Sequence, residues 1–87
     1  MDEQEILKVA NVLNTWNPLG DRAIKIADLD GYRTEAIEII YNSGLRKNAK
    51  TSEIIMEVIN EAFDLSLLES DCLEPAKKVN DILKRKA

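Results

Sequence analysis

Apolar residues recur three and four apart through four stretches of the chain, with polar residues between them, the spacing of helices that each bury one face. In residues 3–16 that face carries Ile6, Val9, Ala10, Leu13 and Trp16, with Val12 at its border. Asp2 and Glu5 stand three apart at its start and resemble a capping box. A second helix is predicted from near Asp30 to Ser43, with Tyr32, Ala36, Ile39, Ile40 and Ser43 on one face, Gly44 as its C-terminal cap and Leu45 closing over the core. The third, over residues 52–63, buries Ile55, Val58, Ile59 and Ala62, broadened by Ile54 and Phe63, and opens on Thr51-Ser52-Glu53 with its negative first turn. The last follows Asp71, which with Glu74 makes a second capping-box-like pair, and buries Leu73, Ala76, Val79, Ile82 and Leu83. Pro75 is tolerated because it falls in the first turn, where few backbone donors are committed.

The breaks between these stretches are as informative as the stretches. Trp16-Asn17-Pro18-Leu19-Gly20 places the single tryptophan beside a helix-stopping proline, so the chain must turn there. Pro18 is expected to push Asn17 toward extended geometry, and Gly20 tolerates angles closed to other residues. From Asn17 to Asp28 the helical pattern fails: Ala23-Ile24-Lys25-Ile26-Ala27 alternates like a strand, yet no partner strand is apparent. This stretch reads as an ordered, extended linker, and a connection that long is a place to look for function. Leu65-Ser66-Leu67-Leu68 is too short to assign and reads as a half-turn between helices. The fold class expected is therefore all-α, a single domain over residues 1–87 of about four helices, bundle-like or orthogonal.

Composition narrows the function. At 87 residues the chain suits one modest core. Its 45% apolar and 32% charged residues, of both signs, describe a folded domain with a solvated surface. The net charge of −4 disfavours nonspecific attraction to nucleic acid or anionic lipid and makes a basic partner the better match. Cys72 has no second cysteine to pair with, which fits a reducing cytoplasmic setting and a buried apolar filler. The acidic start Met-Asp-Glu-Gln-Glu and the lack of any apolar run near ~18 residues argue against export or membrane insertion.

Candidate chemistry is sparse. With no histidine, the Ser-His-Asp and Cys-His nucleophile pairs and histidine metal ligation are excluded, and one cysteine cannot build a cysteine-rich zinc site. No phosphate-cradling glycine loop is present, so neither an enzyme nor a cofactor is expected. Asp28-Leu29-Asp30-Gly31 invites comparison with a calcium loop, but the register would place Ile26 and Ile37 at ligand positions where neither can serve. The strongest feature is an acidic row on the third helix: Glu53, Glu57 and Glu61 stand four apart, and Asp64 completes it. Like charges so spaced cost ~0.2 to 0.5 kcal/mol per pair, unless Lys77, Lys78 and the Lys84-Arg85-Lys86 tail, or a basic partner protein, supply countercharge. Trp16 reads first as a core plug, and as an interface anchor should it prove exposed. The basic connection Arg46-Lys47-Asn48-Ala49-Lys50 invites a helix-turn-helix reading, which the row of Glu on the next helix opposes. Arg46, Lys47 and Lys50 ahead of that helix could hold one anion.

Taken in order, Trp16-Asn17-Pro18, Asp30-Gly31-Tyr32-Arg33-Thr34-Glu35 and Cys72-Leu73-Glu74-Pro75-Ala76-Lys77-Lys78 resemble a small bacterial helical family known as domain of unknown function 1871. The likeness spans most of the chain; Asn17 stands where that pattern favours Asp, and Pro75 where it favours another residue. The resemblance implies an all-α bacterial cytoplasmic protein and carries no activity. Some related small acidic proteins look like immunity partners of toxins, an analogy of class alone. The expectation is a non-enzymatic protein-binding module, immunity-like or inhibitor-like, that meets a basic protein through Glu53, Glu57, Glu61, Asp64 or Trp16, with a homodimer as a further form. The alternative is a nucleic-acid-associated regulator using the 46–50 connection and the basic C-terminus.

Overall fold

The computed structural model describes residues 2–26 and 30–85. Four α-helices, α1 (Glu3–Trp16), α2 (Arg33–Leu45), α3 (Thr51–Phe63) and α4 (Leu73–Leu83), carry the chain, with short 3₁₀ segments in the α1–α2 and α3–α4 connections, and no strand occurs among the described residues. Each helix packs on the next and α4 returns to α1, closing a ring around a shared core. That core holds Val9 and Leu13 of α1, Ala36 and Ile39 of α2, Ile54, Ile55 and Ile59 of α3, and Val79 of α4.

The helix starts and stops show which local signals won. Asp2 caps α1 by accepting from the Gln4 amide at 2.9 Å. Its end departs from the sequence expectation: Asn17 is left-handed (φ 51°), not extended, and its amide donates to the Leu13 carbonyl at 2.7 Å. Asparagine tolerates that conformation better than most residues, and the helix-closing hydrogen bond outweighs the bias of the following proline. Asp64 and Lys84 end α3 and α4 in the same left-handed way. Gly44, expected as a cap, lies inside α2, which runs on to Leu45, and Leu45 is 64% exposed instead of covering the core. On α3, Ala62 faces solvent while Ile54 is fully buried; on α4, Leu73 is half-exposed and Pro75 is buried.

The stretch expected as an extended linker folds into a 3₁₀ turn over Gly20–Lys25. An alternating pattern gives a strand only where another strand pairs with it, and none does so among the described residues. Leu19 seals the core at the start of the turn, while Ile24 stands 88% exposed. Ala27, Asp28 and Leu29, which belong to the strand-like run and the calcium comparison, lie outside the described residues, as does Lys86 of the basic tail. The connection from α3 to α4 is held by side chains. Asn60 accepts from the Leu67 amide at 2.8 Å and donates to its carbonyl at 3.0 Å. Asp71 pairs with the Leu68 amide at 2.9 Å and not with Glu74, so it caps the 3₁₀ turn Glu69–Cys72 ahead of α4.

α2 is preceded by a left-handed turn in which Asp30 (φ 46°), Gly31 (φ 62°) and Tyr32 (φ 65°) all adopt positive φ. Tyr32 is fully buried there, its hydroxyl donates to Asn17 Oδ1 at 3.0 Å and its ring meets Phe63 edge-on at 6.0 Å. Arg33, next along, forks onto Glu3 at 2.5 and 2.7 Å, and that hydrogen bond holds the Glu3 carboxyl below its usual range. Two glycines therefore report on opposite backbone demands. A Cβ at Gly31 or at Gly44 meets open space, so φ alone decides the outcome. Gly31→Ala should lower stability by about 1 kcal/mol, the cost of a left-handed alanine, and Gly44→Ala should raise it by a few tenths to about 1 kcal/mol through helix propensity. Urea denaturation of the two variants checks both signs, and equal signs would mean that the left-handed turn does not persist in solution.

Candidate functional site

α2 and α3 are joined by only five residues, so they lie side by side and their polar faces meet along a groove of about 780 Å³. Glu38, Asn42 and Arg46 line it from α2 and its end, and Glu57, Asn60 and Glu61 from α3, with Met56 and Val58 between them. Among the described residues, Arg46 is the only cation on this wall. Its guanidinium donates to Glu57 at 2.5 Å and lies 3.7 Å from Glu53. The acidic row is thus relieved from within, by the connection that precedes it, and not by Lys77 or Lys78, of which Lys77 lies beside Glu74 at 3.6 Å. The bond to Glu57 pushes Arg46 further above its already high range, so its charge is fixed. Among the described residues Glu38 and Glu61 form no ion pair, which leaves the groove with two unmatched carboxylates.

The structure gathers Glu57 and Glu61 in this groove, with Glu53 at its margin. Asp64 caps the far end of α3, and Trp16 is half-buried against the core at the end of α1, apart from the groove. The expected anion-binding trio is dispersed. Arg46 turns to Glu57, Lys47 lines a different cavity, and Lys50 is the exposed residue preceding α3. Glu38 and Asn42 are silent in the sequence because a groove wall built by two helices has no signature along either one.

Arg85 is equally hidden, since along the chain it reads as one more charge in a basic tail. Its guanidinium spans the connection, donating to the Thr51 hydroxyl at 2.8 Å and to the carbonyls of Ala49, Lys47 and Arg46 at 3.1, 3.3 and 3.4 Å. Thr51 in turn donates to Asn80 on α4. A planar fork suits this task because it presents several N–H donors in one plane and so reaches several carbonyls of the connection at once. Nearby, Ser52 donates to Glu69 at 2.8 Å, which completes the polar seam between α3 and the entry to α4.

Besides Tyr32, two titratable groups are buried in the body of the fold. Burial pushes the Cys72 thiol up to about 11, so it stays protonated and behaves as an apolar filler. Glu35 is 8% exposed, its Oε1 has no hydrogen-bond partner, and burial raises its carboxyl above the usual range, with Glu38 adding repulsion. Among the described residues no cluster of His, Cys, Asp and Glu could hold a metal ion, and no helix is long and apolar enough to cross a membrane. Comparison with protein-family models, with curated proteins and with solved structures gave no match.

Two expectations follow from these side chains. Arg85→Ala should cost about 2 kcal/mol in urea denaturation, in line with losing charge-assisted hydrogen bonds, and Arg85→Lys should recover only part of it because an ammonium cannot fork. Glu35, with its folded-state value raised, binds its proton more tightly in the folded protein than in the unfolded chain, so the stability this confers is lost as pH climbs through the raised value. Glu35→Gln should therefore raise the thermal midpoint more at pH 7 than at pH 4, and an equal shift at both would show that the carboxyl is not desolvated.

Proposed function

We propose that this chain is a non-enzymatic protein-binding module that receives a basic side chain of a partner protein in the groove between α2 and α3. The observation that carries the reading is the pair of unmatched carboxylates, Glu38 and Glu61, on opposite helices of a groove whose cation, Arg46, is already committed to Glu57. A lysine or arginine entering there would find carboxylate acceptors together with the side-chain oxygen of Asn42, whose amide nitrogen is held by the Glu38 carbonyl, while Met56 offers an adaptable apolar contact for its stem. Complementary charge of this kind governs encounter rate and partner choice more than raw affinity. The resemblance to the helical family of unknown function, and through it the immunity-like or inhibitor-like role, belongs to the same proposal: a small acidic domain whose task is to meet a basic protein. A reducing cytoplasm is the setting it suits, given a lone thiol held protonated in the core.

The nucleic-acid reading finds less support. Arg46 is held by Glu57, and the terminal nitrogens of Arg85 are held by Thr51 and the backbone of the connection, which leaves Lys47 and Lys50 without the convergent cluster that phosphate tracking needs.

The reading is checked with tetralysine as a stand-in for a basic segment, titrated into the protein and followed through backbone amide shifts at several salt concentrations. Shifts should centre on residues 38–42 and 57–61 and weaken as salt rises. The double substitution Glu38→Gln with Glu61→Gln should weaken binding roughly tenfold, the effect expected from neutralising two acceptors of a cation at low ionic strength. Binding that the double variant leaves unchanged, or stronger binding to mixed-sequence DNA than to tetralysine, would count against it.

A further inference from the structure

On the other side of the 46–50 connection lies a second cavity, of about 440 Å³, where the N-terminal part of α1 meets the C-terminal ends of α2 and α4. We infer that it is a binding site for a small organic monoanion, a carboxylate with an apolar body, independent of the acidic groove.

Three residues with unspent hydrogen-bonding capacity line the same space. Lys47 lines it and forms no ion pair among the described residues. Arg85 lines it too, and while its two terminal nitrogens hold Thr51 and the connection's carbonyls, its Nε–H enters none of those bonds. Ser43 is the third: it lines the cavity, only 6% of it is exposed, and its hydroxyl has no hydrogen-bond partner. A buried hydroxyl without a partner costs free energy unless something in the neighbouring space accepts its proton. Two cations and a spare hydroxyl are the donor set of a carboxylate site.

The remaining walls set the rest of the ligand. Ile40 and Leu83 are apolar, and Gly44 leaves open space where any other residue would place a Cβ. Glu5 contributes one negative charge to the lining, so a multiply charged phosphate would be repelled where a monoanion is balanced. The volume falls within the range of small-molecule sites and accommodates about a dozen non-hydrogen atoms.

The test uses 4-phenylbutyrate, its neutral counterpart 4-phenylbutan-1-ol and inorganic phosphate, each titrated into the full chain at fixed ionic strength and followed by backbone amide shifts. The acid should bind saturably with shifts centred on Ser43, Gly44, Lys47 and Leu83, and roughly tenfold more tightly than the alcohol, the factor that one charge-assisted hydrogen bond supplies. Lys47→Met should remove most of that preference for the acid. Gly44→Leu adds a bulky side chain to the cavity lining while improving helix propensity, so it should abolish binding in a protein that is no less stable. The inference is overturned if acid and alcohol bind alike, if phosphate binds as well as the acid, if the shifts map elsewhere, or if the Gly44→Leu protein still binds.

Discussion

Burial of Tyr32 decides how the second half of the molecule is set against the first. Its backbone, with that of Asp30, is left-handed, and each such non-glycine residue costs roughly 1 to 2 kcal/mol. A fully buried aromatic side chain removes about 150 to 250 Å² from water, which at about 25 cal/mol per Å² contributes on the order of 4 to 6 kcal/mol. Burial therefore wins, and the hydroxyl bond to Asn17 adds direction to a force that has none of its own. Because Asn17 is also the left-handed end of α1, one side chain ties together the stop of the first helix and the start of the second, and its contact with Phe63 brings in the end of the third.

The same logic explains what is and is not readable from the chain. α1 over residues 3–16 and α3 beginning at Thr51 are legible because a helical apolar period is a local property, repeated over several turns. Helix ends are less so. Gly44 carries the strongest stop signal by composition, yet α2 passes through it, and left-handed closure falls instead on Asn17, Asp64 and Lys84. A glycine only permits that conformation; packing of the following connection decides whether it is used. The 3₁₀ turn over residues 20–25 is obscure for a related reason: its alternating apolar positions owe their arrangement to Leu19 and Ile26 resting on the core, not to a partner strand.

The candidate site is half legible. The acidic row on α3 is plain in the sequence, because i, i+4 spacing alone puts Glu53, Glu57 and Glu61 on one side. For its countercharge the sequence points to long range, to the C-terminal lysines or a partner, whereas the nearest cation is the residue that ends α2. A short connection brings Arg46 back across the first turns of α3, where a single guanidinium lies near two carboxylates. Glu38 then becomes important only by neighbourhood, across a groove that neither helix specifies by itself.

Five consecutive residues with three positive charges look like one basic patch when written out, and the folded chain divides them. Arg46 faces the acidic groove, Lys47 borders the cavity beyond, and Lys50 precedes α3. What enforces the division is Arg85, which grips three carbonyls of the connection and the Thr51 hydroxyl, while Thr51 is bonded to Asn80. A connection fixed at its backbone cannot swing its cations together, so their mutual repulsion is avoided and each is left to serve a different face. The two terminal nitrogens of Arg85 are thus spent on shaping the 46–50 segment. A net balance counted along the sequence therefore describes the surface less well than the question of which carbonyl or carboxylate each cation already holds.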